Sequence, residues 1–205
     1  MRGDFGVLRK VIPAAVLALL AAPAALAQLE PGALPALESG DLLFKGAETG
    51  AGTRIAAGWS LGDKRWGHVG IVADGGQSVI HADTGEPGEV GAVRKVALVD
   101  FLADVETLGV YEIRLTGEAR EKYVAFAESA VGLPFDHGFS IRTENSLYCS
   151  ELVWRAMSAG LGEDAVPEKS ARLGRTYVSV SDLSDHPLLR ESATVTEGRV
   201  ASLAK

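Results

Sequence analysis

Two periodicities divide this chain. The stretch from about residue 41 carries short apolar runs, and a helical period takes over near residue 117. Asp41 to Lys45 (DLLFK) is a short apolar run entered through Ser39-Gly40, and it predicts a strand. Gly46 to Gly62 is glycine-rich and predicts a loop with at most a short helix, ending near Trp59 and Trp66. His68 to Ala73 (HVGIVA) and Ser78 to Ala82 (SVIHA) flank Asp74-Gly75-Gly76-Gln77. A Gly-Gly pair between β-rich runs predicts a two-residue hairpin turn. Val90 to Leu98 adds a further strand, and Val110 to Leu115 alternates as a half-buried strand does.

From Glu118 to Val131 the apolar positions are 123, 124, 126, 127, 130 and 131, with Thr116 as N-cap and Gly132 just beyond. That spacing predicts a helix. Leu133 to Asn145 predicts a loop. Ser146 to Ala159 predicts a second helix, with an apolar stripe of Leu152, Val153, Ala156 and Met157 and a stop at Gly160. Beyond Leu161 the pattern is mixed, with a strand expected around Thr176 to Val180 and then a loose tail. Strands first and helices later give the α+β class, with helices packed on a small antiparallel sheet.

The amino terminus stands apart. Arg2, Arg9 and Lys10 precede an apolar run from Val11 to Ala22, and Ala25-Leu26-Ala27 has the A-x-A form of a cleavage site. These features predict a secretory signal peptide over residues 1–27, hence an exported protein, periplasmic or secreted, without stable membrane insertion once the signal is removed. A linker follows over 28–38, then a catalytic domain over 39–190 and a tail over 191–205. The chain has 20 basic and 27 acidic residues. Removing three basic residues and Asp4 with the signal leaves 17 against 26, a net charge of −9. That balance argues against a nucleic-acid partner.

Charge gives no chemistry, but the cysteine count does. The chain has one cysteine, Cys149. An exported protein normally pairs its thiols, so a single one is either an inert core residue or a reactive group. With Asn145 or Ser146 as cap, Cys149 falls in the first turn of its helix. The partial positive charge there favours a thiolate, and the unpaired N–H groups there can receive an oxyanion.

Four histidines offer a base: His68, His81, His137 and His186. If the hairpin turns at Gly75-Gly76, opposed residues have numbers summing to 151. Gly70 then faces His81, and His68 lies diagonal to His81 on the same face. His68 is thus placed to take a proton from Cys149, and His81 to orient it. His137 lies in a loop where it could touch substrate. His186 reads as a surface residue. No H-E-x-x-H helix or Cys-x-x-Cys pair points to a metal, and no phosphate-binding glycine motif points to a nucleotide. The expected enzyme uses no cofactor.

Ser39-Gly40-Asp41-Leu42-Leu43, Trp66-Gly67-His68-Val69-Gly70-Ile71-Val72, Leu133-Pro134-Phe135-Asp136 and Tyr148-Cys149-Ser150-Glu151-Leu152-Val153 occur in this order. In these segments the chain resembles the permuted papain-like amidases, the circularly permuted branch of the NlpC/p60 superfamily, of the YiiX and YebB type. The resemblance spans roughly residues 38 to 160. It implies a papain-like fold with a small sheet or barrel flanked by helices, and a cysteine amidase or peptidase. The strand histidine matches His68, the helix-start cysteine matches Cys149, and the third polar position falls on His81. Tyr148, Ser150 and Asp136 are the candidate substrate or oxyanion contacts. Export and resemblance together point to the stem peptides of peptidoglycan as substrate. The third position is often a carboxylate in bacterial members. A histidine there is similar to the lecithin retinol acyltransferase-like members, and implies as alternative a lipid-directed thiol acyl hydrolase or acyltransferase.

Overall fold

The computed structural model describes residues 29, 31–85, 89–196 and 199–202. The expected signal peptide over 1–27 lies outside the described residues. Strands β1 (Leu42–Gly46), β2 (Trp66–Ala73), β3 (Ser78–Asp83), β4 (Ala92–Ala97), β5 (Thr107–Ile113), β8 (Leu189–Thr196) and β9 (Arg199–Ser202) form one sheet in the order β4-β3-β2-β1-β5-β8-β9. Every neighbouring pair is antiparallel. A separate two-stranded hairpin consists of β6 (Ser170–Arg172) and β7 (Arg175–Tyr177).

Both faces of the sheet are covered. Leu42, Phe44, Val69, Ile71, Ile80, Ala82, Tyr111 and Ile113 join one cluster with residues of α3 (Gly117–Ser129) and α4 (Cys149–Leu161). Leu43, Val72, Val79, Leu108 and Val110 join the opposite cluster, which includes Phe101 of α2 (Leu98–Phe101). Neighbours in sequence thus go to opposite faces, as the pleat requires. Burial on both sides makes β1 read as a continuous apolar run instead of an alternating one.

The hairpin register is the expected one: Ile71 pairs with Ile80 and Val72 with Val79. The turn is longer than the Gly-Gly pair suggests. Pairing ends at Ala73–Ser78, and Asp74 to Gly76 form a short 3-10 turn. Asp74 takes a positive φ of 50°, and its carboxylate accepts a 2.6 Å bond from the Ser78 hydroxyl and pairs with Lys95. Both loop lengths give the same sum of 151, so the register survives.

Five other expectations are corrected. The glycine-rich stretch holds a full helix, α1 (Ala51–Trp59). Helix α4 starts at Cys149, with Tyr148 as a cap whose side chain makes no capping bond, and runs through Gly160 to end at Gly162, which adopts the left-handed conformation. The strand expected around 176–180 is β7 followed by α5 (Val180–Ser184), capped by Ser179 on the Asp182 N–H. The linker docks: Leu29 is buried, and Leu34 and Leu37 pack on the α2 face. The tail is not loose, because β8 pairs with β5 along its length and β9 extends the sheet. A boundary at 190 would cut β8.

Gly67 is the fold's tightest point beside the histidines. Gly46 pairs with Trp66 and Lys45 with His68, so Gly67 is the extra residue of a bulge. A Cβ there would sit 2.2 Å from the Thr53 carbonyl oxygen, which belongs to the backbone of α1. Gly67→Ala must therefore push α1 off β2. The expected loss in urea unfolding is about 1–3 kcal/mol, the usual cost of overpacking, with a parallel loss of thiol protection at Cys149.

Candidate active site

Cys149 is the first residue of α4 and is buried. Two bonds fix this helix start to the chain beyond it. The Ser150 hydroxyl donates to the Val178 carbonyl at 2.8 Å, and the Val178 N–H donates to the Tyr148 hydroxyl at 2.9 Å. Residues on both sides of the nucleophile are thus anchored to one residue of the segment between β7 and α5.

The sulfur meets β2. The Val69 N–H is directed at it, together with groups of Ser150. Strand pairing explains why that N–H is available. The Val72 N–H donates to the Asp41 carbonyl on the β1 side. By the alternation of antiparallel ladders, residues 69, 71 and 73 turn their N–H groups toward β3. The β2–β3 ladder stops at Ile71–Ile80. Val69 lies beyond that point, so its N–H is turned to the side where the β2–β3 ladder has ended and acts on the thiol.

His68 is the next residue back along β2. Its Nε2 lies 3.0 Å from His81 Nδ1, with the two rings nearly perpendicular. The diagonal relation inferred from the register is thus realised as a direct hydrogen bond. Phe101 of α2 packs against both rings, at 6.1 Å from His68 and 5.2 Å from His81 between centroids. Gly70 makes room for this, since a Cβ there would lie 2.5 Å from Val79 and against the Phe101 ring. Lys45, opposite His68 on β1, lies over the Phe101 ring, 4.4 Å from its centroid, and pairs with Asp104 at 2.7 Å. The structure joins His68 to His81 and sets Cys149 against the strand of His68. No hydrogen bond joins the thiol to either imidazole among the described residues.

The electrostatics differ from the expected thiolate. Burial pushes the Cys149 thiol up, and the N–H groups of Val69 and Ser150 offset only part of that. Burial, then the charge of His81 and that of Lys45, hold His68 well below the ordinary imidazole range. His81 is pushed down to about 4, chiefly by burial. The resting site is therefore a neutral thiol beside two neutral imidazoles. A helix N-terminus acts over one turn, and at this buried position desolvation outweighs it.

The side chains of Tyr148, Ser150 and Asp136 do other work than the expected oxyanion contact. The hydroxyls of Tyr148 and Ser150 are used on Val178. The Asp136 carboxylate accepts from the Gly138 N–H (2.7 Å), the Ser140 N–H (2.8 Å) and the Thr143 hydroxyl (2.8 Å), which shapes the loop before α4. His137 is exposed, against Phe135. His186 is not a free surface residue: its ring bonds the Ala165 carbonyl and accepts from the Leu188 N–H.

Sequence reasoning missed three participants. Phe101 and Lys45 reach the histidines only through the sheet pairing, so no local pattern marks them. Glu151 was in view, in the same helical turn as Cys149. It is fully buried, its carboxyl is pushed up to about 7 mainly by burial, and one oxygen pairs with Arg155 at 2.8 Å. Arg155 also donates to the Thr143 carbonyl, tying the loop to the helix.

A cysteine at a helix start, set against a strand whose histidine is hydrogen-bonded to a histidine of the next strand, is the arrangement of a papain-like hydrolase site. The chain belongs to the permuted papain-like amidases of the YaeF/YiiX type, the C92 family, which it matches over residues 36–196. Membership makes it a hydrolase of the amidase class. The fold is similar to the crystal structure of the metalloprotein YiiX from Escherichia coli O157:H7, with a TM-score of 0.57 and 22% identity, over 78% of this chain and 96% of that one. No curated protein matches the sequence. Among the described residues, no three or more His, Cys, Asp or Glu side chains converge as metal ligands.

The thiol's setting has a direct readout. Alkylation by iodoacetamide follows the thiolate, so its rate against pH is expected to rise with a midpoint above 9.0, the ordinary value for this group. A reactive plateau already present at pH 6.5, the ordinary imidazole value, would mean a preformed ion pair and would overturn the neutral site.

Proposed function

We propose that the protein is exported by its first 27 residues and hydrolyses amide bonds, with the stem peptides of peptidoglycan as substrate. Cys149 is the nucleophile, His68 the base and His81 the residue that positions His68. The observation that carries this reading is the approach of the Cys149 sulfur to the Val69 N–H, one residue from an imidazole locked to a second imidazole at 3.0 Å.

The steps follow from the atoms present. His68 uses Nε2 toward His81, which leaves Nδ1 to receive a proton. The tautomer required has the Nε2–H donating to His81 Nδ1. As the sulfur attacks the carbonyl carbon, its proton passes to Nδ1 of His68. The neutral resting state makes this general-base catalysis, with charge appearing only as the bond forms. The imidazolium is then stabilised by a charge-assisted bond to His81. Backbone N–H groups at the start of α4 receive the oxyanion. His68 returns the proton to the departing amine as the C–N bond breaks, leaving a thioester on Cys149. Water, deprotonated by His68, attacks that thioester, and the sulfur leaves with the proton.

Phe139 favours the second reading. Its ring is 44% exposed and lies 5.3 Å from the Tyr148 ring, next to the nucleophile. An apolar group at that place suits an acyl chain, as in a lipid-directed acyl hydrolase or acyltransferase. Incubation with muropeptides and, separately, with an acyl ester distinguishes the two by which leaves an acyl mass on Cys149.

Cys149→Ala is expected to abolish release of peptide from purified cell wall. His81→Ala should lower kcat by about 100-fold through a misplaced base, with KM little changed. It should also shift the acid limb of kcat/KM, which a purely structural role would leave in place. Full turnover by Cys149→Ala would sink the mechanism.

A further inference from the structure

Half of the ten arginines whose side chains are described have carboxylate partners. Arg65, Arg94, Arg120, Arg155 and Arg190 each form ion pairs. Among the described residues that lack one, Arg142, Arg172 and Arg175 stand together, on the loop before α4 and on the β6–β7 hairpin facing it. Between them lies a groove of about 430 Å³, lined by Phe139, Ser140, Ile141, Arg142, Arg175 and Thr176, and by Gly174 at the hairpin turn. That volume suits a group the size of one or two amino-acid residues.

Both arginines that line the groove are exposed. The Arg142 guanidinium has no partner in the chain among the described residues. Arg175 spends one N–H on the Gly138 carbonyl, which sets its position, and keeps the rest of its fork. The buried Asp136 carboxylate feels the charge of Arg175 but is turned inward onto the N–H groups of its own loop and forms no ion pair with either arginine. Phe139 closes the groove on the side of the nucleophile. It holds a left-handed conformation at φ 48°, enforced by the Asp136 bonds on either side of it.

We propose that this groove is a subsite for a carboxylate carried by the substrate, held by Arg142 and Arg175 beside the scissile amide. The proposal deepens the amidase reading and rests on it. A peptide substrate supplies such carboxylates, and the planar guanidinium fork matches them. Phe139 and Ile141 supply the apolar wall against which the adjoining side chain of that residue lies. Arg172, whose guanidinium lies over the Trp59 ring and donates to the Gly58 carbonyl, adds positive potential without lining the groove.

The test uses the full-length Cys149→Ser protein, which binds without turnover. An N-acetylated dipeptide with a free terminal carboxylate and the same peptide as its carboxamide are titrated by calorimetry. The carboxylate is expected to bind about tenfold tighter, with the preference shrinking as salt is raised. Adding Arg142→Gln and Arg175→Gln together should erase the preference. Arg142→Gln alone should reduce it, with an unchanged thermal midpoint, because that side chain holds nothing within the chain. Equal affinity for the two peptides overturns the proposal, as does a preference that survives the double variant. Hydrolysis by the Cys149 protein is scored separately, so a preference without cleavage would count against the amidase reading and not against the subsite.

Discussion

The backbone N–H of Val69 is the group on which the rest of the site depends. Strand β2 is paired on its β1 side along its length, but its β3 ladder ends at Ile71. A donor left unpaired inside a protein costs free energy unless it finds a partner. The partner here is the sulfur of Cys149. That donor sets the thiol against β2, one residue along the strand from His68, while Val178 fixes where α4 begins. The bulge at Gly67 serves the same end by resetting the register just before His68.

Around that donor the protein maintains neutrality. Phe101 shields the histidine pair, Lys45 penalises a positive charge on it, and burial penalises a negative charge on the thiol. A buried thiolate-imidazolium pair would need its desolvation repaid by close contact, and the thiol's contact is with a backbone amide. The neutral arrangement leaves the chain's one cysteine protected at rest, since oxidation follows thiolate character and exposure. Glu151 extends the theme: a carboxyl with no exposure beside the nucleophile would oppose a thiolate when ionised, and Arg155 offsets that charge while holding the loop.

Much of this was legible in the residues themselves. The His68–His81 relation follows from period-two geometry and a sum of residue numbers, and it held because a two-residue and a four-residue turn give the same register. The placement of Cys149 in a first helical turn also held. What failed has physical causes. The tail after Glu191 shows little apolar pattern, since β8 is half exposed along much of its length, and strands beside a sheet edge need little hydrophobicity once the partner exists. The upward push on the thiol was not legible, because a helix terminus is visible in sequence while desolvation is not. Tyr148 and Ser150 flank the nucleophile in sequence, but their hydroxyls point to Val178, a residue whose proximity only the tertiary fold creates.

The order of residues along the chain separates this site into two parts with different dependence on the fold. His68 and His81 are joined by one hairpin, a local structure whose register is set by its own pattern. Cys149 arrives from a helix that packs on the finished sheet, and its start is fixed by Val178, later still in the chain. The base pair therefore requires only that β2 and β3 pair, whereas the nucleophile requires β1 to β5, α3 and the segment after β7 as well. Disturbance of the segment after β7 reaches the thiol's helix start directly, through Val178. The coupling runs through Val178 to Tyr148 and Ser150, so the exactness of the helix start is a property of the whole sheet and not of the sequence around the cysteine.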